Sequence, residues 1–171
     1  RQRPAGFSCE GTAPSAVGLG YARSPAIESA EQIAAWKKIT DAVHAKGGKM
    51  FCQLMHVGRI GHDANRYTTS PLVAPSAVKA AGQIWTDEQG MQDHPVPHAL
   101  STSEVVGVIE DFAKATRNAM AAGFDALWIP EGGLPVFSLC SAAALTPVPL
   151  TLGTSVAVAF ARSPMTTAVV V

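Results

Sequence analysis

The sequence predicts a parallel α/β fold, and its segment pattern carries this prediction. Stretches with strand character alternate with two stretches of helical periodicity. Each helical stretch opens with a capping-box pattern, Ser29 with Gln32 and Ser101 with Glu104, and an apolar run of strand length follows each one. A strand, a helix and a second strand in this order form the βαβ unit of parallel sheets, so either a doubly wound sheet or a barrel is expected.

The elements follow in order along residues 1–129. The apolar residues 7–9 predict a first strand, and the first helix extends from its cap to the glycine pair at 47–48. The run KMFCQLM at 49–55 predicts a strand that is buried on both faces. Residues 56–100 are rich in glycine and proline, which predicts a long excursion with one hairpin around 87–90. A second helix closed by Gly123 and a strand at 124–129 complete the pattern.

The composition excludes several classes of function. The chain has 171 residues, of which 13 are basic and 13 acidic, so it lacks the charge excess of proteins that bind nucleic acid or anionic membranes. Cys9, Cys52 and Cys140 are widely spaced, which favours neither a disulfide framework nor a zinc site and predicts a reducing, cytoplasmic location. Because the sequence does not begin with Met, we expect it to be part of a longer reading frame.

The amino-acid composition of the sequence changes after Glu131. From residue 132 to 171 the chain consists almost entirely of Ala, Val, Leu, Pro, Ser, Thr and Gly, and Arg162 is its only charged residue. Proline and glycine keep every apolar run of this region shorter than about 18 residues, so no transmembrane span is expected. Two regions are therefore predicted: an enzyme-like region at 1–129 and a low-complexity tail of uncertain structure at 130–171, which could pack as loose strands such as 155–160.

The polar residues QLMHVGR at 53–59 follow the second strand, at the end where α/β proteins place their sites. Gln53 could pair with the edge of a heterocycle such as a flavin pyrimidine, or it could be an ordinary satisfied residue at a strand end. His56 and Arg59 fit a hydrogen-bonded structural pair better than a catalytic pair. His44 is expected to be solvated. No histidine spacing predicts a metal site, and the motifs of serine hydrolases, P-loop proteins and Rossmann dehydrogenases are absent from the sequence.

Several segments together resemble the old yellow enzyme family of FMN-dependent ene reductases. They are EGT (10–12), GLGY (18–21), SAEQIAAWKKITDAVHAKGGK (29–49), QLMHVGR (53–59), LVAPSAV (72–78), EVVGVIEDF (104–112) and NAMAAGFD (118–125). The resemblance implies that the chain is a fragment of a (β/α)8 TIM barrel, comprising about strands 2 to 4, with FMN at the carboxyl-terminal mouth. It also implies that NADPH or NADH reduces FMN, which then transfers hydride to the C=C bond of an α,β-unsaturated carbonyl compound.

The resemblance assigns roles to four residues. Gln53 matches the glutamine that hydrogen-bonds the flavin pyrimidine, and Gly11 matches a small residue whose backbone lies against the isoalloxazine ring. Tyr21 matches an aromatic residue of the substrate pocket. Met55 stands where close relatives carry a tryptophan lining the same pocket, and its flexible side chain is expected to loosen that pocket.

The sequence departs from the family after the third predicted strand. There the family continues with His, two residues, His or Asn, Gly and Tyr, which bind the substrate carbonyl and donate a proton. Pro130 stands at the position of the first His, Gly133 at that of the second His or Asn, and Pro135 at that of the Tyr. The catalytic residues are therefore unknown, and activity is expected to be impaired or lost. One hypothesis is that the tail from Pro130 is a coding sequence read in a shifted frame; the other is a genuine divergent carboxyl terminus.

Two other functions stay open on sequence grounds. A half-barrel with open strand edges could act as a non-catalytic flavin-binding or self-associating module. Alternatively, a different barrel enzyme could use His56 and Arg59 on a phosphorylated substrate. The sequence identifies neither the alkene nor the preferred coenzyme.

Overall fold

A computed structural model describes residues 5–130 and 151–155 of the chain. The following elements occur in chain order: β1 (Gly6–Thr12), α1 (Ala30–His44), β2 (Lys49–Leu54), β3 (Val73–Ala74), β4 (Gln83–Thr86), β5 (Gly90–Asp93), β6 (His98–Ala99), α2 (Thr102–Ala121), β7 (Ala126–Pro130) and β8 (Thr151–Ser155). Within the described residues, no helix is both long enough and apolar enough to cross a membrane.

The main sheet has the strand order β1-β2-β7-β8, and every neighbouring pair is parallel. Helix α1 connects β1 to β2, and α2 lies between β2 and β7 in the chain. This arrangement confirms the predicted parallel α/β fold. Strands β4 and β5 form an antiparallel hairpin, as predicted around 87–90, and β3 pairs with β6 to brace the long excursion.

Strand β8 changes the predicted strand count. The sequence pattern predicts three strands in the sheet, but Thr151–Ser155 pairs in parallel with Ala126–Pro130 along its whole length. The edge of β7 offers unpaired backbone groups, and a short segment rich in threonine can satisfy them. The tail thus contributes at least one strand, whereas the strand suggested at 155–160 falls outside the described residues after its first position.

Both predicted capping boxes are confirmed. The Ser29 hydroxyl accepts from the Gln32 backbone N–H at 3.2 Å, and the Gln32 side-chain oxygen accepts from the Ser29 N–H at 3.1 Å. Ser101 and Glu104 repeat the exchange at the start of α2, at 3.3 and 2.7 Å. The hydrogen bonds from Ser101 and from His98 lower the pKa of Glu104 to about 2. These local bonds set the point at which each helix begins.

The hydrophobic core lies between the sheet and the two helices. Met50, Cys52 and Leu54 alternate along β2 and are at most 7% exposed, which directs them toward the helices. We call this helix-covered side the outer face of the sheet. Three alanines of α2 and its carboxyl end pack in this core, namely Ala115, Ala119 and Ala122, each 0% exposed. Small residues allow the helix to approach the sheet closely, so the outer face is fully buried along β2.

Asp125 holds the amino ends of β2 and β7 together. Its carboxylate accepts from Lys49 Nζ at 2.6 Å and from the Met50 backbone N–H at 2.9 Å, and it lies 2.7 Å from His44 Nε2. Burial alone would raise the pKa of this carboxyl, but these hydrogen bonds outweigh it and lower the pKa to about 2. The prediction of a solvated His44 was therefore wrong, because His44 is bonded to Asp125. The sequence did not reveal this partner, since it lies 81 residues away.

Candidate functional site

The candidate site lies at the carboxyl ends of the parallel strands. Parallel register pairs Gly11 of β1 with Gln53 of β2, and Gln53 with Trp128 of β7. The structure therefore brings Gly11 and Gln53, both predicted from the resemblance, into adjacent positions. Gln53 and Trp128 lie on the side of the sheet opposite to the helices, which we call the inner face.

A β-bulge in β1 determines which residue meets Gln53. Ser8 pairs with Phe51 and Gly11 pairs with Gln53, so β1 advances by three residues over a stretch in which β2 advances by two. Because of this extra residue, Cys9 packs against the core of the outer face while Gly11 lies on the inner face. The bulge thus provides a position without a side chain beside the Gln53 amide.

Met55 lies directly over Gly11. A Cβ atom built at Gly11 would be 2.5 Å from Met55 Cε and 2.8 Å from its sulfur, so only glycine fits beneath the thioether without displacing it. The Met55 backbone N–H donates to the Thr12 carbonyl at 3.0 Å, which fixes the chain at this point. The predicted cofactor residue Gly11 and the predicted pocket residue Met55 are therefore in contact.

Tyr21 occupies the loop after β1 and is 37% exposed. The neighbouring Gly20 anchors this loop, because its carbonyl accepts from the His62 N–H and from the Asn65 side chain, both at 3.1 Å. In the described part of the chain, no hydrogen bond or ring contact joins Tyr21 to Gly11 or Gln53. Tyr21 thus lies on the loop that follows the carboxyl end of β1.

Two aromatic residues of the inner face escaped the sequence analysis. Phe51 and Trp128 meet edge to face, with ring centroids 5.5 Å apart and an interplanar angle of 88°. The Trp128 Nε1 atom is buried and has no hydrogen-bond partner among residues 5–130 and 151–155. The period of two around Gln53 could have placed Phe51 on this face, whereas the register of Trp128 depends on a pairing 75 residues away in sequence.

His56 and Arg59 do not hydrogen-bond each other. His56 Nδ1 accepts from the Gly58 N–H at 3.0 Å. Arg59 instead donates to the Val78 carbonyl at 2.8 Å and to the Ser76 hydroxyl at 3.0 Å. Each side chain braces the long excursion separately, so the expected structural pair is replaced by two independent local contacts.

The two described cysteines, both with free thiols, lie behind the site. A hydrogen bond with Cys52 lowers the pKa of Cys9 to about 6, despite the opposing effect of burial. The same hydrogen bond, together with burial, raises the pKa of Cys52. No group of three or more metal-ligating side chains occurs within the described residues. The site therefore offers an amide, an indole N–H, a glycine backbone and a thioether.

This set of groups fits the edge of a flat heterocycle with alternating donors and acceptors. The Gln53 amide provides both functions, and the buried Trp128 N–H provides a further donor that the described residues leave unpaired. The missing Cβ at Gly11 allows close approach of a ring once the flexible Met55 side chain moves aside. The inner face is thus compatible with the pyrimidine side of a flavin.

These elements define a parallel α/β segment with a flavin-type donor set at its carboxyl edge. Residues 5–131 match the family model described as NADH:flavin oxidoreductase / NADH oxidase family, and the chain belongs to this family. FMN is the cofactor of the family, whose members are oxidoreductases.

Curated relatives include 12-oxophytodienoate reductase 7 of Oryza sativa subsp. japonica, 38% identical over 70% of this chain and 31% of that protein. A probable flavin mononucleotide-dependent alkene reductase of Leishmania infantum is 41% identical over 61% of this chain and 30% of that protein. The chain spans about a third of the length of the relatives it matches.

Solved structures agree with this membership. Morphinone reductase superposes with a TM-score of 0.67 at 36% identity, covering 73% of this chain and 35% of that one. The old yellow enzyme homologue from Zymomonas mobilis gives a TM-score of 0.68 at 38% identity, covering 73% and 34%. The predicted resemblance to the old yellow enzyme family is thereby confirmed, and the relatives are TIM-barrel proteins.

Proposed function

We propose that this chain provides the flavin-facing segment, about strands 2 to 4, of an FMN-dependent barrel that reduces the C=C bond of α,β-unsaturated carbonyl compounds. The observation that carries the proposal is the register that places Gly11, Gln53 and Trp128 side by side on the inner face. A nicotinamide reductant, NADPH or NADH, is supported by the solved complex of morphinone reductase with tetrahydroNAD.

The residues of the inner face have distinct roles in this proposal. The Gln53 amide would hydrogen-bond the pyrimidine side of FMN, and the Trp128 N–H would add a donor beside it. Gly11 would let the ring approach the backbone of β1, with Met55 and Tyr21 lining the substrate side. When bound, FMN supplies the chemistry of accepting and delivering hydride.

The proposed activity of this chain is impaired at the substrate step. Pro130 ends β7 at the position of the family's first substrate-binding histidine. Proline has neither an imidazole nor a backbone N–H, so it cannot donate a hydrogen bond to a carbonyl oxygen. Gly133 and Pro135 lie outside the described residues. The chain would therefore bind FMN without polarising the alkene substrate. Separately, its location in the cytoplasm is a prediction from the sequence.

The test is a fluorescence titration of FMN with the purified chain and two variants. We expect saturable quenching with the wild type and about 10-fold weaker binding for Gln53→Leu, since a lost hydrogen-bonding group at a polar edge costs about 1–2 kcal/mol. Gln89→Leu is the matched control, because Gln89 is exposed on the turn between β4 and β5. Absence of binding to the wild type, or equal binding by Gln53→Leu, would reject the proposed flavin site.

A turnover assay separates flavin binding from catalysis. With NADPH or NADH supplied anaerobically, we expect bound FMN to lose its yellow absorbance and an added cyclic enone to stay unreduced. Reduction of the enone at the rate of an intact relative would show that Pro130 does not limit the reaction.

Self-association is a second candidate function, favoured by the strand edges. In the described sheet β1 and β8 each have one neighbour, and Phe7 on β1 is 53% exposed. Edge strands with exposed apolar side chains pair readily with other chains. Light scattering after size exclusion should then give a mass above that of one chain, reduced toward one chain by Phe7→Lys. A monomeric wild type would reject this candidate.

A further inference from the structure

Cys9 and Cys52 lie side by side on neighbouring strands. The residue pairs before and after the β-bulge leave only Cys9 and Glu10 of β1 opposite Cys52 of β2. Cys52 belongs to the buried core of the outer face, and Cys9 packs against that same cluster. Both thiols therefore lie on the helix-covered side of the sheet, on two strands that the parallel ladder holds together.

The spacing of the two strands suits a covalent bond between these thiols. Neighbouring strands lie about 4.7–4.9 Å apart, and the two Cα atoms of a disulfide are usually about 4.4–6.8 Å apart. Thiols whose Cα–Cβ bonds diverge cannot be joined, whereas side chains on one face of adjacent strands leave the sheet in the same direction. The register of Cys9 and Cys52 meets both conditions, so the two residues can be joined without a rearrangement of the sheet.

The two thiols differ in exposure and in acidity. Cys9 is partly exposed, whereas Cys52 is 0% exposed. Cys9 Sγ also lies 3.4 Å from the hydroxyl oxygen of Thr12. The hydrogen bond between the two cysteines lowers the pKa of Cys9 to about 6 and, together with burial, raises the pKa of Cys52. Cys9 is therefore the accessible, nucleophilic thiolate of the pair, and Cys52 is the thiol behind it.

We propose that Cys9 and Cys52 form a reversible disulfide when the chain meets hydrogen peroxide. The Cys9 thiolate attacks one peroxide oxygen and the O–O bond breaks, which leaves a sulfenic acid on Cys9 and a hydroxide that takes up a proton to become water. The Cys52 sulfur then attacks the Cys9 sulfur, so that the S–S bond forms, the S–O bond breaks and a second water leaves with the Cys52 proton. One peroxide is thereby reduced to two waters while two thiols are oxidised.

The position of Cys52 protects Cys9 from further oxidation. A sulfenic acid that finds no thiol proceeds to the sulfinic acid, which thiols do not reduce. Cys52 stands opposite Cys9 and is shielded from solvent, so its thiol is available to Cys9 alone. In a reducing compartment such a bond is transient and records the presence of oxidant. The pair lies on the outer face, so its oxidation does not depend on flavin binding at Gly11 and Gln53.

The experiment treats the reduced, desalted chain with hydrogen peroxide and maps its cysteines by peptide mass spectrometry without reduction. A Cys140→Ser parent chain is used, because this third cysteine lies outside the described residues. We expect one peptide pair joined through Cys9 and Cys52, lighter by two hydrogen atoms than the separate peptides and released by dithiothreitol. The intact mass should stay that of one chain. A disulfide between two chains in place of this pair would overturn the proposal.

Cys52→Ala and Cys9→Ser are matched variants, because each removes one thiol of the pair. Cys52→Ala should leave a sulfenic acid on Cys9 that dimedone traps, and Cys9→Ser should leave Cys52 unmodified at the same peroxide dose. Oxidation of Cys52 in Cys9→Ser, or absence of the cross-link in the parent chain, would contradict the assigned roles. A cross-link that forms only in urea would do so too, since the folded strands would not have brought the thiols together. If a variant fails to fold, the cross-link in the folded parent chain decides alone.

Discussion

The two faces of β2 differ although they share one short strand. Met50, Cys52 and Leu54 are sealed against the helices, whereas Phe51 and Gln53 are only half-buried on the other side. Alternation with a period of two assigns successive residues to opposite tasks. The outer face holds the sheet to its helices, and the inner face carries polar and aromatic groups at the strand ends. Substitutions on the outer face of β2 should therefore change mainly stability, and substitutions on its inner face should change mainly ligand binding.

The largest effect expected from this contrast concerns Leu54 and Met55, neighbours of similar size. Leu54→Ala should lower the free energy of unfolding by about 2–5 kcal/mol, since it opens a cavity in the packed core. Met55→Ala should lower it by less than about 1 kcal/mol, since Met55 is half-buried above Gly11. Urea denaturation measures both values. Equal losses would show that the inner face is as tightly packed as the outer face.

A smaller effect concerns the amino ends of the strands. Asp125→Asn should cost about 1–3 kcal/mol at neutral pH, because His44, Lys49 and the Met50 N–H lose a common charged acceptor. The pKa of Asp125 is about 2 in the folded chain and higher when unfolded, so its contribution is present above about pH 4 and lost as the pH falls toward 2.

The check is thermal unfolding between pH 2 and pH 7. The wild type should lose its advantage over Asp125→Asn as the pH falls through that range. Asp41→Asn is the control, because the exposed ion pair of Asp41 with Lys37 should contribute at most about 0.5 kcal/mol. A constant difference between wild type and Asp125→Asn at every pH would contradict the assignment.

The smallest effect on stability is expected at Gly11. Gly11→Ala places a methyl group 2.5 Å from Met55 Cε, but this terminus is flexible and can move, so the cost should stay below about 1 kcal/mol. The same methyl group should weaken FMN binding several-fold, since it occupies the approach to the ring. Adding Met55→Ala should restore stability but not flavin affinity. Restoration of both would mean that only the clash with Met55 matters.

Local patterns were sufficient to predict much of the fold. Ser29 with Gln32 and Ser101 with Glu104 fixed the helix starts, because a capping box depends on four consecutive residues. Gly11 and Gln53 were predicted through family motifs, and the register then placed them side by side.

Long-range partners accounted for what the sequence did not reveal. His44 was expected to be solvated because its partner Asp125 is distant along the chain. Trp128 became a site residue only through its pairing with Gln53. The contribution of β8 was hidden because its composition resembles the rest of the low-complexity tail.

The bulge in β1 makes the effect of a deletion in this strand depend on where the deletion falls. Removing Glu10 would restore strict alternation with Gly11 still opposite Gln53, whereas removing Phe7 or Gly11 would shift the residues on one side of the deletion to the opposite face of the sheet. A scan of single-residue deletions along Gly6–Thr12 should therefore be least damaging to the sheet register at Glu10 and, at the flanking positions, much more damaging than conservative substitutions. In any redesign of the segment, the number of residues on each side of the bulge is the quantity to preserve first.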